Sequence, residues 1–137
     1  MPKDLTKLCI HTITTKPWPL ETAIRKYARA GVKGITIWRE ALEGYQLASV
    51  RREIDAAGLR LVSLCRGGFF PARHEGQRQV AIKDNLQALD QAAALGAPLL
   101  VLVPGADPEQ PLQTSRDQIR AGIEAILPRA EALGVKL

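Results

Sequence analysis

At 137 residues the chain has room for one ordinary domain or for part of a larger one. Its apolar content of 46% is that of a globular protein. No apolar run approaches the roughly 20 residues of a membrane span, so no membrane partner is expected. The net charge of +5, from nineteen Lys and Arg against fourteen Asp and Glu, favours anionic partners. The basic residues are scattered, with no Lys/Arg block and no basic stripe rich in aromatics, so no nucleic-acid partner is expected on composition alone.

The amino terminus, Met1-Pro2-Lys3-Asp4, has no apolar segment behind it, so no secretory leader is expected and the chain reads as cytoplasmic. Cys9 and Cys65 fall in strand-like runs at no metal-ligand spacing. They read as buried free thiols of a reducing compartment.

Four glycines punctuate the chain. Gly31, Gly58, Gly96 and Gly134 each follow a helical pattern and precede a strand-like run. They stand 27, 38 and 38 residues apart, a size that fits one strand-helix unit apiece. Each sits where a helix end calls for the left-handed conformation.

A first strand is expected over about Leu8 to Thr14, with Leu8, Ile10 and Thr12 on one face and Cys9, His11 and Ile13 on the other. Pro17 and Pro19 stiffen the following loop. A helix over Leu20 to Ala30 carries Leu20, Ala23, Ile24, Tyr27 and Ala28 on one face. A second strand, Gly34 to Trp38, ends in Arg39-Glu40, and a second helix, Tyr45 to Ala57, buries Leu47, Val50, Ile54 and Ala57. A third strand, Leu61 to Cys65, runs into Arg66 and then turns at Gly67-Gly68. A third helix, Gln77 to Leu95, has the stripe Ile82, Leu86, Leu89 and Ala93.

The fourth strand, Leu99 to Val103, is wholly apolar, as suits a covered parallel sheet. Ser115-Arg116-Asp117-Gln118 reads as a capping box for the fourth helix. Ile119, Ile123, Ile126, Ala130 and Leu133 line that helix, and Pro128 should kink it. Val135-Lys136-Leu137 begins a fifth strand.

Strand and helix alternating four times predict parallel strands with helical crossovers. An open doubly wound sheet and a (β/α)₈ barrel both fit. No G-x-G-x-x-G follows the first strand, which weakens a dinucleotide reading. Polar residues at strand ends (His11, Trp38, Arg39, Arg66) favour a barrel, whose sites converge from many strand ends.

Each candidate carries a structural alternative. Arg66 is the strongest, because a fixed guanidinium between a buried run and two glycines needs acceptors. Gly67 lets backbone approach a ligand. His11 reads either as a pocket residue or as a satisfied core histidine, and Trp38 either as a sugar platform or as core. Arg39 either binds an anion or pairs with Glu40 or Glu43. Phe69 and Phe70 read as a lid or as loop packing. Glu40 reads mainly as helix-dipole complementation, and Lys16, Arg73 and His74 as solvated. Burial would raise the pKa of Cys65 and leave it inert.

The segments His11-Thr12-Ile13-Thr14-Thr15-Lys16-Pro17-Trp18, Ile37-Trp38-Arg39-Glu40 and Leu64-Cys65-Arg66-Gly67-Gly68-Phe69-Phe70-Pro71 resemble the sugar phosphate isomerase/epimerase family of the xylose-isomerase-like TIM barrel superfamily. The resemblance implies α/β architecture: four βα units plus the start of a fifth strand, residues 1–137 forming one domain, the amino-terminal half of a (β/α)₈ barrel, with no internal linker. It implies a metal-dependent isomerase or epimerase of sugars or sugar phosphates. In that family a divalent ion (Mn, Zn, Mg or Co) is held on the last four strands, and two glutamates on the fifth and eighth strands move protons. The catalytic and metal residues are therefore expected after Leu137, and no metal is expected on this chain alone.

Substrate-binding roles fall to His11, Trp38, Arg39, Arg66 and Gly67. The expected substrate is a small anionic or neutral sugar, and the expected partner is a second copy or the carboxyl-terminal half. Taken alone, the chain is expected to be inactive. Two other readings stand beside this one: an abasic-site DNA endonuclease of the same superfamily, and a non-catalytic, self-associating half-barrel.

Overall fold

In the computed structural model, which describes residues 4–137, the four punctuating glycines close four helix ends with the same pair of backbone bonds. Their φ angles are 83°, 69°, 76° and 67° at Gly31, Gly58, Gly96 and Gly134. The next residue reaches back five positions. Val32 N–H donates to Tyr27 O at 3.1 Å, Leu59 to Ile54 at 3.1 Å, Ala97 to Ala92 at 2.8 Å and Val135 to Ala130 at 3.0 Å. The glycine itself donates to the carbonyl three residues before it, which satisfies carbonyls a helix end would otherwise leave orphaned. Val32, Leu59, Ala97 and Val135 are all buried, so each cap also drives the chain back under the core.

The helices so ended are α1 (Leu20–Arg29), α2 (Leu47–Ala56), α3 (Glu75–Leu95) and α4 (Leu112–Leu133). They alternate with β1 (Cys9–His11), β2 (Gly34–Trp38), β3 (Arg60–Gly68) and β4 (Leu100–Val103). The four strands form one parallel sheet in the order β1-β2-β3-β4. Beyond β4 the next segment has begun to pair, through a parallel bridge between Leu99 and Lys136. Ile35, Ile37, Leu64 and Leu100 are fully buried and join the helix faces in one core. Among the described residues no helix is long and apolar enough to cross a membrane. Met1-Pro2-Lys3, read above for the lack of a leader, lies outside the described residues.

Five local expectations give way. β1 stops at His11 because Thr12–Thr15 turn into a 3-10 helix, with the His11 side chain accepting from Ile13 N–H at 3.1 Å. The alternation is lost there, and Leu8 and Ile13 are exposed. β3 does not turn at its glycines. Gly67 pairs with Leu102 and Gly68 with Val103, and a Cβ on Gly68 would run into the Val103 backbone. The buried stripe of α3 is rotated to Asn85, Ala88, Leu89 and Ala92, because small alanines let the helix sit close; Ile82, Leu86 and Ala93 flank it. α4 starts at Leu112 with Pro111 as cap, so Ser115 lies buried inside the helix, accepting from Gln110 Nε2 at 2.9 Å. Pro128 lies within α4 as read, and the helix runs on to Leu133. Finally, Cys9 is exposed while Cys65 is buried.

The two phenylalanines part company. Phe70 is buried and lies against α4, where Gly122 has no side chain to oppose its ring. An alanine Cβ at Gly122 would overlap that ring. In an open helix, Gly→Ala stabilises by about 1 kcal/mol. Here Gly122→Ala is expected to destabilise by about 1–3 kcal/mol, the cost of overpacking a closed core. Urea unfolding of the two proteins gives the sign directly.

Candidate functional site

β2 ends at Trp38, and its last amide donates to Thr12 Oγ1 at 2.8 Å, which ties the strand end to the turn after β1. The chain then makes one 3-10 turn, Arg39–Leu42, that projects Glu40 from the rim. β3 delivers Arg66 and Gly67 beside it. Together with Leu42, Glu43, Phe69, Asp84 and Gln91 these residues line a cleft of about 430 Å³ at the carboxyl ends of the strands. Four of the five expected residues, Trp38, Arg39, Arg66 and Gly67, meet there. His11 lies alongside, its ring 5.9 Å from that of Trp38.

The Arg66 guanidinium lies between two aromatic rings, 5.0 Å from the centre of Trp38 and 4.1 Å from that of Phe69. Cation-π attraction to both holds it in place. Its charged partner is Glu40, 3.6 Å from one terminal nitrogen, and the Glu40 side chain is 66% exposed. Arg39 has a different fate. It pairs with neither Glu40 nor Glu43. Its Nη1 and Nη2 donate to Asp84 Oδ2 and Oδ1 at 2.8 and 2.9 Å, and its Nε to Gln91 Oε1 at 2.6 Å. That fork is closed onto α3 and bridges the cleft wall.

Asn85, Asp84 and Gln91 were not singled out from the sequence. Asn85 is fully buried. Its Oδ1 accepts from Gly68 N–H at 2.6 Å, and its Nδ2 donates to Gly68 O at 2.9 Å and Ala81 O at 2.8 Å. Gly67 fits beside it only because it lacks a Cβ. The signal was present: Asn85 lies three residues after Ile82 and four before Leu89, a polar residue in an apolar register. Phe69 follows at φ 55°, left-handed for a side chain that ordinarily avoids it, and remains 46% exposed above Arg66.

The remaining candidates lie apart from the cleft. Arg73 pairs with Asp107 and Glu109, and His74 precedes α3 without capping it. Lys16 lines an adjoining cavity of about 270 Å³ that shares Trp38, Glu40 and Glu43 with the first. Burial pushes the Cys65 thiol up, against a smaller downward pull from Arg66. Trp38 Nε1 is buried with no hydrogen-bond partner among the described residues.

A family model described as xylose isomerase-like TIM barrel matches residues 24–137. The chain is 38% identical to protein SMc04130 from Sinorhizobium meliloti 1021, over 93% of this chain and 48% of that one, with a TM-score of 0.87. A D-psicose 3-epimerase solved in the presence of D-fructose is 18% identical over 93% of this chain and 49% of its own, at TM-score 0.77. The IOLI protein, solved with a zinc atom, is 20% identical over the same shares, at TM-score 0.71. This chain thus spans about half the length of the solved structures it matches. No curated protein matches it.

Desolvation holds the proton affinity of His11 below its ordinary value. As pH falls through about 6.5, the unfolded chain takes up this proton before the folded one. Stability is therefore expected to fall as pH drops from neutrality towards the lowered folded value. His11→Asn keeps an acceptor for Ile13 N–H and should flatten that slope, as read from unfolding midpoints between pH 7 and pH 5.

Proposed function

The chain belongs to the xylose isomerase-like TIM barrel family, and from that premise we propose that it is the substrate-side half of a metal-dependent sugar isomerase or epimerase. The observation that carries the reading is the Trp38–Arg66–Phe69 stack with Glu40 at its edge, set at the strand ends where barrel enzymes build their sites. Aromatic faces accept the C–H face of a sugar. A guanidinium donates to sugar oxygens, and a carboxylate accepts from hydroxyls. His11, whose proton affinity desolvation lowers, adds a polar ring beside Trp38. These groups bind and orient the substrate, and the Phe69 ring screens Arg66 from water.

The family implies a divalent ion, manganese, zinc, magnesium or cobalt. Among the described residues no three His, Cys, Asp or Glu side chains are grouped to hold one. Glu40, Glu43 and Asp84 surround the cleft, but Asp84 is committed to Arg39 and Glu40 faces Arg66. No step is therefore routed through a metal on these residues. The proposal assigns the ion and the proton-moving carboxylates to a complementary half-barrel.

That complement has a place to dock. Among the described residues the outer edge of β1 has no strand partner in the sheet. Open parallel edges attract further strands. The 137-residue chain is expected to self-associate at micromolar concentration, and a monomer at all loadings in sedimentation velocity would count against a docking edge.

The binding role is tested with the same chain. Hexose titration is expected to change the emission of Trp38, with Trp38→Phe separating it from Trp18. Arg66→Gln should weaken that response about tenfold, a loss near 1.4 kcal/mol, and shift the thermal midpoint little. A lowered midpoint with unchanged binding would make Arg66 a structural residue.

A further inference from the structure

We propose that this cleft selects an uncharged, unphosphorylated sugar and rejects the corresponding phosphate ester, because Arg66 and Glu40 form a matched donor–acceptor pair on an aromatic platform and not a free anion receptor. This rests on the sugar-binding reading above and narrows it.

The charges lining the cleft are two arginines, Arg39 and Arg66, against three carboxylates, Glu40, Glu43 and Asp84. The chain as a whole is +5, yet its cleft is acidic by one. The adjoining cavity repeats the imbalance, with Lys16 facing Glu40 and Glu43. Desolvation lowers the proton affinity of His11, which disfavours a cation there. The basic composition that suggested an anionic substrate therefore resides elsewhere on the surface.

Phosphate recognition draws on open arginine forks, on several converging N–H groups, or on a helix N-terminus. Arg39 offers none of this, its fork being filled by Asp84 and Gln91. Arg66 is the remaining cation, and Glu40 stands 3.6 Å from it. The helix residues lining the cleft, Asp84 and Gln91, come from the body of α3 and not from its first turn. A phosphate ester carries a charge of about −1.5 to −2 at pH 7. Seated on Arg66 it would meet Glu40 with Glu43 close by, a like-charge juxtaposition that interfaces use to exclude wrong partners.

A neutral sugar meets the opposite situation. Its ring and hydroxyl oxygens accept from the Arg66 N–H groups, its hydroxyl hydrogens go to the Glu40 carboxylate, and its C–H face lies on Trp38 or Phe69. Glu40 is well exposed, so it can leave Arg66 for a hydroxyl without losing its solvation. Glu40 is in this sense a specificity-determining residue.

The test is an amide and indole NMR titration of the isotope-labelled 137-residue chain at fixed ionic strength. The probes are D-fructose, D-glucose and D-mannose, each beside its 6-phosphate, and inorganic phosphate. The expected result is that at least one free hexose moves the Trp38 indole and Gly67 amide signals, with its 6-phosphate binding about tenfold more weakly or worse. Glu40→Gln should close most of that gap by improving the phosphate ester, and Glu43→Gln should close it in part. A 6-phosphate or inorganic phosphate that binds more tightly than every free hexose, and loses that advantage in Arg66→Gln, overturns this inference and leaves the sugar reading standing. If no probe moves these signals, the sugar-binding reading itself fails, and the inference with it.

Discussion

The buried carboxamide of Asn85 is the constraint on which the cleft depends. It clamps both polar groups of Gly68, the N–H at 2.6 Å and the carbonyl at 2.9 Å, and so fixes the carboxyl end of β3 against α3. Leaving a buried amide partly unpaired costs about 1–3 kcal/mol, so this clamp has one good geometry and few poor ones. Gly67 must lack a Cβ for the amide to enter, and Gly68 must lack one for β4 to pass. Phe69 is then delivered at φ 55°, its ring above Arg66. Asp84, one residue earlier on α3, holds Arg39. One helix thus positions both the strand end and the 3-10 turn that face each other across the cleft.

Two arginines of the same intrinsic chemistry end in different roles through their surroundings. Arg39 meets a carboxylate whose two oxygens match its fork, with a glutamine left for the third donor. Such a bidentate pair is geometrically specific and leaves little for a ligand. Arg66 meets aromatic faces, which attract a cation without consuming its N–H donors. Sequence position put both at strand ends, Arg39 beside Glu40 and Arg66 before two glycines. What separates them is the approach of α3, a contact between residues 45 positions apart.

The parts of the fold that were legible rest on local chemistry. The four glycine caps need only a left-handed residue and an apolar follower, and both are written in consecutive letters. The stripes of α1 and α2 were legible too, because Leu20, Ala23, Ile24 and Tyr27, and likewise Val50 and Ile54, are buried in the core. The readings that failed depend on tertiary partners. Ser115-x-x-Gln118 has the spacing of a cap, but Pro111 starts the helix a turn sooner and Ser115 is spent on Gln110. The α3 stripe shifts because alanines at positions 88 and 92 allow close approach, which outweighs the larger side chains at 82 and 86. At the site, Trp38, Arg66 and Gly67 were readable from strand-end position. Asn85 was readable only as a polar intruder, and Asp84 and Gln91 not at all, since polar residues on a helix carry no mark of a distant arginine.

The sheet's other face bears on how a half-barrel meets its complement. Opposite the apolar core, Cys9 Sγ lies 3.4 Å from Thr36 Oγ1, which lies 3.0 Å from Ser63 Oγ, a small polar ladder across three strands. An uncovered face of leucines and isoleucines would draw in any apolar surface. Small hydroxyl and thiol groups satisfy one another and exert no such pull. The groups left wanting are instead the backbone N–H and C=O of the β1 edge, which are directional and satisfied by another strand in register. Association driven in this way depends on strand geometry more than on apolar area.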